Sequence, residues 1–296
     1  MPEDGFKYSG RIFSNSELEY IQRLIEKQPD ISRAALSRQV CQDIKWFRPD
    51  GRLKDMRCRV VLLKMQEDGL LTLPPAKQGW TPPRKTPVIM PGTDPAPPVK
   101  DDLAELLPLK VEVISRKNLE ASQRYNTFIH RYHYLGYQPA VGANIRYAFK
   151  DRHDRELAFM TWSSAAWQTA PRDEWIGWNQ TVREERLHLI VNNSRFLILP
   201  WVSCKNLASH ILGKMARLMP SDWEGLYGYR PVLAESFVDA TLYTGHCYLA
   251  ANWKKLGKTT GRTKWNKKVQ AVANKKDIWV YPLAKNAKEL LVGESP

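Results

Sequence analysis

Apolar positions recur at helical spacing near the start of the chain and change their period after a proline-rich stretch. Ser14-Asn15-Ser16-Glu17 is a capping box, and Leu18, Ile21, Leu24 and Ile25 follow it on one helical face until Pro29, which predicts a first helix. Ser32 can cap a second helix carrying Ala35, Leu36 and Val40. After the turn Arg48-Pro49-Asp50-Gly51, a third helix is expected from Leu53 through Met56, Val60 and Leu63, ended by Gly69. Leu70-Leu71-Thr72-Leu73 then reads as a short strand. Helix, helix, turn, helix, strand is the outline of a winged helix-turn-helix, whose third helix would carry Arg52, Lys54, Arg57, Arg59 and Lys64 on its polar side.

Ten of the twenty prolines fall between Pro74 and Pro108, where they fix φ and remove backbone donors. That composition predicts a semi-rigid linker. The expected division is therefore a winged helix at 1–73, a linker at 74–108 and an α/β body at 109–296. In the body, strands are predicted at Val111 to Ile114, Asn144 to Lys150, Glu156 to Trp162, Leu187 to Val191, Arg195 to Leu199, Val232 to Val238 and Ile278 to Tyr281. Helices are predicted at Leu119 to Tyr132, at Lys205 to Leu218 with Leu207, Ile211, Leu212, Met215 and Leu218 on one face, and at Tyr248 to Leu256. The body is expected as a mixed α+β sheet with helices on both faces. Neither G-x-G-x-x-G nor a Walker sequence is present.

Charge adds a partner class. Lys and Arg number 45 against 31 acids, a formal net charge of +14, enough to create a long-range field attractive to polyanions. From Trp253 to Lys276 there are nine Lys or Arg residues and no acid, among them Lys254, Lys255, Lys258, Arg262, Lys264, Lys267 and Lys268. Such a stripe suits a phosphate backbone, and a merely solvated loop is the competing reading. The third N-terminal helix carries the same alternative, since a charged helix face is often only a wet one. The N-terminal segment lacks an apolar signal core and no run reaches a membrane span, so a cytosolic protein without a membrane partner is expected. Cys41, Cys58, Cys204 and Cys247 are too scattered for a zinc cluster or a disulfide framework.

Glu235 and Asp239 lie four apart on a predicted strand, on the same face as Phe237. Paired carboxylates of this kind would take Mg²⁺ beside phosphates or act as acid and base, whereas Arg230, Arg262 or nearby lysines could simply neutralise them. His130 and His133 lack a H-E-x-x-H frame, and capping or packing competes with metal binding there. His133 with Tyr134 is the preferred acid/base pair if the protein is an enzyme, the Leu135-Gly136 turn holding it at a cleft rim. Asn192, Asn193 and Arg195 interrupt a strand and could bond a base edge or phosphate, or merely make a turn. Trp162, Trp167, Trp175 and Trp178 offer either a stacking surface for unpaired bases or core.

The order of elements in the body resembles the acyltransferase fold of the GNAT superfamily. The resemblance implies a loop after the fourth strand that grips the pyrophosphate of an acyl-coenzyme A at a helix N-terminus, and Pro200 to Ser209 is the matching place. Lys205 and Asn206 or their neighbours stand where glycine is expected, which argues against bound acyl-coenzyme A. A second resemblance rests on ordered motifs: His133-Tyr134-Leu135-Gly136, Trp175-Ile176-Gly177-Trp178, the run from Val191 to Pro200, Asn206-Leu207-Ala208-Ser209, Glu235-Ser236-Phe237-Val238-Asp239 and Ala250-Ala251-Asn252-Trp253. Together they resemble the DruA family of the Druantia anti-phage system. That resemblance implies a defence context, partner proteins of the same system and occurrence beside mobile elements, with no catalytic assignment. The combined expectation is a DNA-binding defence component, with Glu235, Asp239, His133, Tyr134, Asn192 and Arg195 as the candidate catalytic set. Modification of a base or amine by acyl transfer is the alternative.

Overall fold

The computed structural model describes residues 5–49, 51–75, 86–115, 117–261 and 274–293. The chain divides into two compact units, residues 1–83 with 226–229 and residues 84–225 with 230–296.

The first unit opens with a hairpin, β1 (Phe6–Tyr8) and β2 (Arg11–Phe13), followed by α1 (Asn15–Lys27), α2 (Arg33–Asp43) and α3 (Asp55–Glu67). Local chemistry sets the helix starts. Ser14 Oγ accepts the Glu17 N–H at 3.1 Å while the Glu17 carboxylate accepts the Ser14 N–H at 3.1 Å, so two orphan donors are satisfied reciprocally. Ser32 Oγ caps α2 by accepting the Ala35 N–H at 3.2 Å. Phe13, Leu18, Ile21, Leu36, Val40, Val61 and Met65 meet in one buried core.

Two expectations for this unit are corrected. Residues 70–73 form no strand; Leu71 and Leu73 plug the core as irregular chain, and the Leu73 N–H is satisfied by the Gln66 side chain at 2.9 Å instead of a sister strand. The Met56, Val60 and Leu63 stripe of α3 faces solvent, whereas Cys58, Val61, Leu62 and Met65 point inward. This helix carries apolar residues on two faces, and packing against α1 and α2 selects one of them.

The second unit is a seven-stranded mixed sheet in the order β3-β4-β5-β6-β7-β9-β8. Its strands are β3 (Lys110–Val113), β4 (Asn144–Lys150), β5 (Glu156–Ser164), β6 (Ile190–Ile198), β7 (Leu233–Asp239), β8 (Lys254–Lys258) and β9 (Lys276–Pro282). All neighbours are antiparallel except β6 and β7. The helices are α4 (Leu103–Leu106), α5 (Leu119–Tyr132), α6 (Ala170–Ile176), α7 (Gln180–Arg186), α8 (Leu207–Tyr227), α9 (His246–Ala250) and α10 (Ala287–Val292). Successive strand residues point to opposite faces, which assigns the helices. On one face Phe128 of α5 stacks on Phe159 of β5 with ring centroids 4.7 Å apart; on the other Tyr147 of β4 donates to Asp222 of α8 at 2.8 Å.

From residue 86 onward the proline-rich segment packs on this unit and is not a bare spacer. The Val99 N–H donates to the Trp201 carbonyl and the Ser203 N–H to the Val99 carbonyl, both at 2.9 Å, and the Thr93 carbonyl accepts Arg131 and Tyr132. Helix α8 runs past Pro220, where a sequence reading stops it, because Met219 and Trp223 are fully buried and the packing outweighs the one backbone hydrogen bond proline removes. Met219, not the exposed Leu218, continues its inner face. The helix expected at Tyr248 to Leu256 is the short α9 followed by strand β8, which completes the sheet edge.

Candidate functional site

Strands β6 and β7 are hydrogen-bonded only from Ile190↔Leu233 to Asn193↔Ser236. Beyond that point β6 continues to Ile198 and β7 to Asp239 without bonding each other, so the two parallel strands diverge. The divergence opens a cavity of about 570 Å³, lined by residues of both strands, the segment after α5, α9 and the start of β9. That volume lies within the usual range for ligand sites.

A β-bulge marks the branch point. Trp162 of β5 faces Asn193, but Thr161 faces Arg195, which leaves Ser194 as the extra residue. Regular alternation would put Arg195 on the same face as Asn193; the inserted residue turns it to the face that carries Thr161 and α5. Its Nε then donates to the Gly136 carbonyl at 3.4 Å and Nη1 to the Ser194 carbonyl at 2.7 Å. Burial lowers the Arg195 pKa from its ordinary value, the sign of a cation short of solvation.

His133, Tyr134, Asn192, Arg195 and Asp239 all line this cavity. His133 caps the C-terminus of α5, its ring stacked on Tyr134 with centroids 4.9 Å apart. Its Nδ1 accepts the Leu135 N–H at 3.2 Å, so the proton of the neutral ring belongs on Nε2. Burial, reinforced by Arg195 and Lys276, pulls its pKa down to about 4. At neutral pH the ring is therefore neutral. Asp239 accepts the Thr241 hydroxyl at 2.6 Å and the Asn274 amide at 3.1 Å, which hold its carboxyl below the usual range. The Oδ1 of Asn192 is buried and accepts no hydrogen bond.

Glu235 does not join them. It is fully buried on the face of Asn192, its Oε2 2.8 Å from Arg172 Nη1 and its Oε1 accepting the Ala166 N–H at 2.7 Å. The carboxylate pair foreseen for Mg²⁺ is thus split between a sealed ion pair and the cavity. Among the described residues no group of three His, Cys, Asp or Glu side chains could hold a metal ion.

Three contributors escaped the sequence reading. Lys276 lines the cavity with its Nζ 5.9 Å above the Tyr134 ring, and burial lowers its pKa against the opposing pull of Asp239. Tyr243 meets Tyr134 edge-on at 5.5 Å. Tyr248 donates to Asn193 Oδ1 at 2.9 Å and accepts from Ser236 Oγ at 2.9 Å, a buried network under the branch point. Lys276 was legible only as the last of the basic run from Trp253, and Tyr243 and Tyr248 only as aromatic content, since no spacing rule ties Tyr248 to Asn193, 55 residues away.

Of the residues expected to bind nucleic acid, those described fall in the α3 region and on strand β8, several with partners already. Arg59 pairs with Asp55 at 3.1 Å, Arg57 donates to the Ser9 carbonyl at 3.4 Å, and Lys54 precedes α3 with its pKa lowered by burial. Arg52 and Lys64 are exposed. On edge strand β8, Lys255 pairs with Asp277 at 2.6 Å, Lys254 lies over Trp175 at 5.9 Å and Lys258 is exposed. Arg262, Lys264, Lys267 and Lys268 lie outside the described residues. Trp162 and Trp178 are core, and Trp167 is exposed beneath the Arg183 guanidinium.

The family model described as "DruA: Druantia protein DruA" matches residues 90–270, which include every lining residue of the cavity except Lys276. The chain belongs to this DruA family. No curated protein matches it. Among solved structures, this DruA-family chain is similar to the spermidine/spermine N-acetyltransferase SpeG from Vibrio cholerae in complex with manganese ions, at 11% identity and a TM-score of 0.37, over 60% of this chain and 94% of that one. The Vibrio cholerae spermidine N-acetyltransferase in complex with CoA and spermine matches at 11% identity and TM-score 0.37, over 60% and 96% of the two chains. Among the described residues of the DruA-family chain, no helix is long and apolar enough to cross a membrane.

Proposed function

We propose that this chain is the nucleic-acid-engaging component of a Druantia anti-phage defence system, and that the cleft between β6 and β7 receives a nucleotide. Family membership supplies the defence context, and the other proteins of that system are its partners in this reading. One observation carries the ligand class. Arg195 and Lys276, both partly buried and neither within ion-pair distance of a carboxylate among the described residues, border the same cavity as the exposed rings of Tyr134 and Tyr243. A cation withdrawn from water is stabilised by an incoming anion, and an open aromatic edge by a base. The buried Asn192 oxygen adds an acceptor for a base amino group. In this reading the hairpin and three helices of the first unit are a helix-turn-helix module, with exposed Arg52 and Lys64 of the α3 region on phosphates.

Fluorescence anisotropy with single- and double-stranded DNA across a salt series tests the proposal. Binding that weakens linearly in log[salt], and weakens further in Arg195→Ala and Lys276→Ala, is the expected result. Absence of binding to any probe at low salt would overturn it.

A second reading, acyl transfer to a base or amine, draws on the divergence of β6 and β7 beside the loop that enters α8. Asn206, immediately before that helix, adopts φ +65°, the backbone conformation a glycine would supply, and no acid occupies the first turn. Calorimetry with acetyl-coenzyme A decides it: no heat of binding removes this alternative.

A further inference from the structure

A second cavity, of about 530 Å³, adjoins the first and shares two residues with it, Ser194 and Arg195. Tyr125 and Asn126 of α5, Tyr137 from the following loop, and Arg146 and Thr161 of β4 and β5 line it. No carboxylate is among its lining residues, whereas two guanidinium groups are. Arg146 is fixed over the Tyr125 ring at 5.3 Å and donates to Ser122 Oγ at 2.9 Å. Arg195 is shared because the bulge at Ser194 swings it off the Asn193 face, and its electrostatic neighbours include both Tyr125 and Tyr134.

The segment after α5 separates the two spaces. His133, Tyr134 and Leu135 line the first cavity and Tyr137 to Val141 the second. Between them Gly136, at φ +59°, turns the chain: its N–H donates to the His133 carbonyl at 2.7 Å and its carbonyl accepts Arg195 Nε. The ridge therefore stands at the cation, with a polar and aromatic recess on either side.

We infer that the two cavities hold consecutive nucleotides of one strand, the intervening phosphodiester lying on Arg195 and one unpaired base entering each recess. This rests on the reading of the cleft as a nucleotide site and specifies its substrate as single-stranded. Bases on opposite sides of the ridge are neither stacked on each other nor paired with a complementary strand. A duplex cannot present two neighbours in that way without opening.

The test is competition by short probes against labelled decathymidine on the full chain. Thymidine dinucleotide should compete about five- to a hundredfold better than thymidine 5′-monophosphate, the range expected from adding one base contact. Tyr137→Ala should erase most of that advantage, Tyr137→Phe should retain it, and Arg195→Ala should weaken both competitors. A decathymidine duplex with decaadenosine should compete worse than the free strand. Equal competition by monophosphate and dinucleotide with an unaffected Tyr137→Ala, or a duplex that competes as well as the strand, overturns the two-nucleotide arrangement while leaving the nucleotide cleft standing. Failure of decathymidine itself, and of the duplex, to bind the wild-type chain overturns both.

Discussion

Arg172 and Glu235 meet at 2.8 Å with both side chains fully buried, and the same guanidinium reaches Asp173 Oδ1 at 2.7 Å and the Ala166 carbonyl at 2.9 Å. The pair ties α6 to the middle of β7 and fixes one wall behind the diverging strands. Removing one partner strands the other charge in the interior, so Glu235→Ala should destabilise the protein by about 3–5 kcal/mol. Arg172→Met with Glu235→Leu should recover much of the loss, because both fully buried charges are then gone and Asp173 keeps its contact with Arg183. Urea unfolding of the single and double variants measures this; a harmless Glu235→Ala would refute the structural role.

His133 predicts a pH effect with a definite sign. Its folded pKa, about 4, lies below the ordinary 6.5, so the unfolded chain takes up a proton that the folded state refuses. Its contribution to stability is full above pH ~6.5 and falls as pH drops toward ~4. Between about pH 7.5 and pH 5 the wild type should lose on the order of 2 kcal/mol more than His133→Gln. Paired urea titrations at the two pH values read the difference, and parallel losses in both proteins would contradict it.

The α3 region holds an exposed lysine, Lys64, and an arginine, Arg59, already paired with an acid. If it lies on DNA, Lys64→Ala should reduce the slope of log K against log[salt] by about one. Arg59→Ala should change it less, since Asp55 already pairs with that guanidinium. An unchanged slope in both variants would remove α3 from the interface, leaving its exposed Met56, Val60 and Leu63 as an apolar face of other use.

Gly245 lies against Trp279 where α9 begins. A Cβ there would sit 2.7 Å from the indole ring, on a backbone at φ +76° that side chains avoid. Gly245→Ala should therefore cost about 2–3 kcal/mol through overpacking and backbone strain together. Thermal unfolding checks it, and an unchanged midpoint would show that Trp279 can move aside.

The sequence by itself determined the local parts. The Ser14 capping box, the Ser32 cap, the inner face of α1, the α5 span and strand β4 follow from spacing and side-chain chemistry within a few residues, and the structure carries them where those rules put them. The ordered motifs also carried the family, because six short strings in sequence order are independent of any geometry. Five of the six candidate catalytic residues line one cavity: His133 and Tyr134 follow the end of α5, Asp239 ends β7, and Asn192 and Arg195 flank the bulge inside β6. Only the tertiary structure decided the rest. Which face of α3 is buried depends on α1 and α2; that Glu235 is sealed depends on Arg172, 63 residues away. That Arg195 serves two recesses depends on one extra residue in the pairing of β6 with β5. Spacing along a chain fixes what a residue can reach locally, but charge neutralisation, strand register and strand divergence are set by partners that meet only once the sheet is closed.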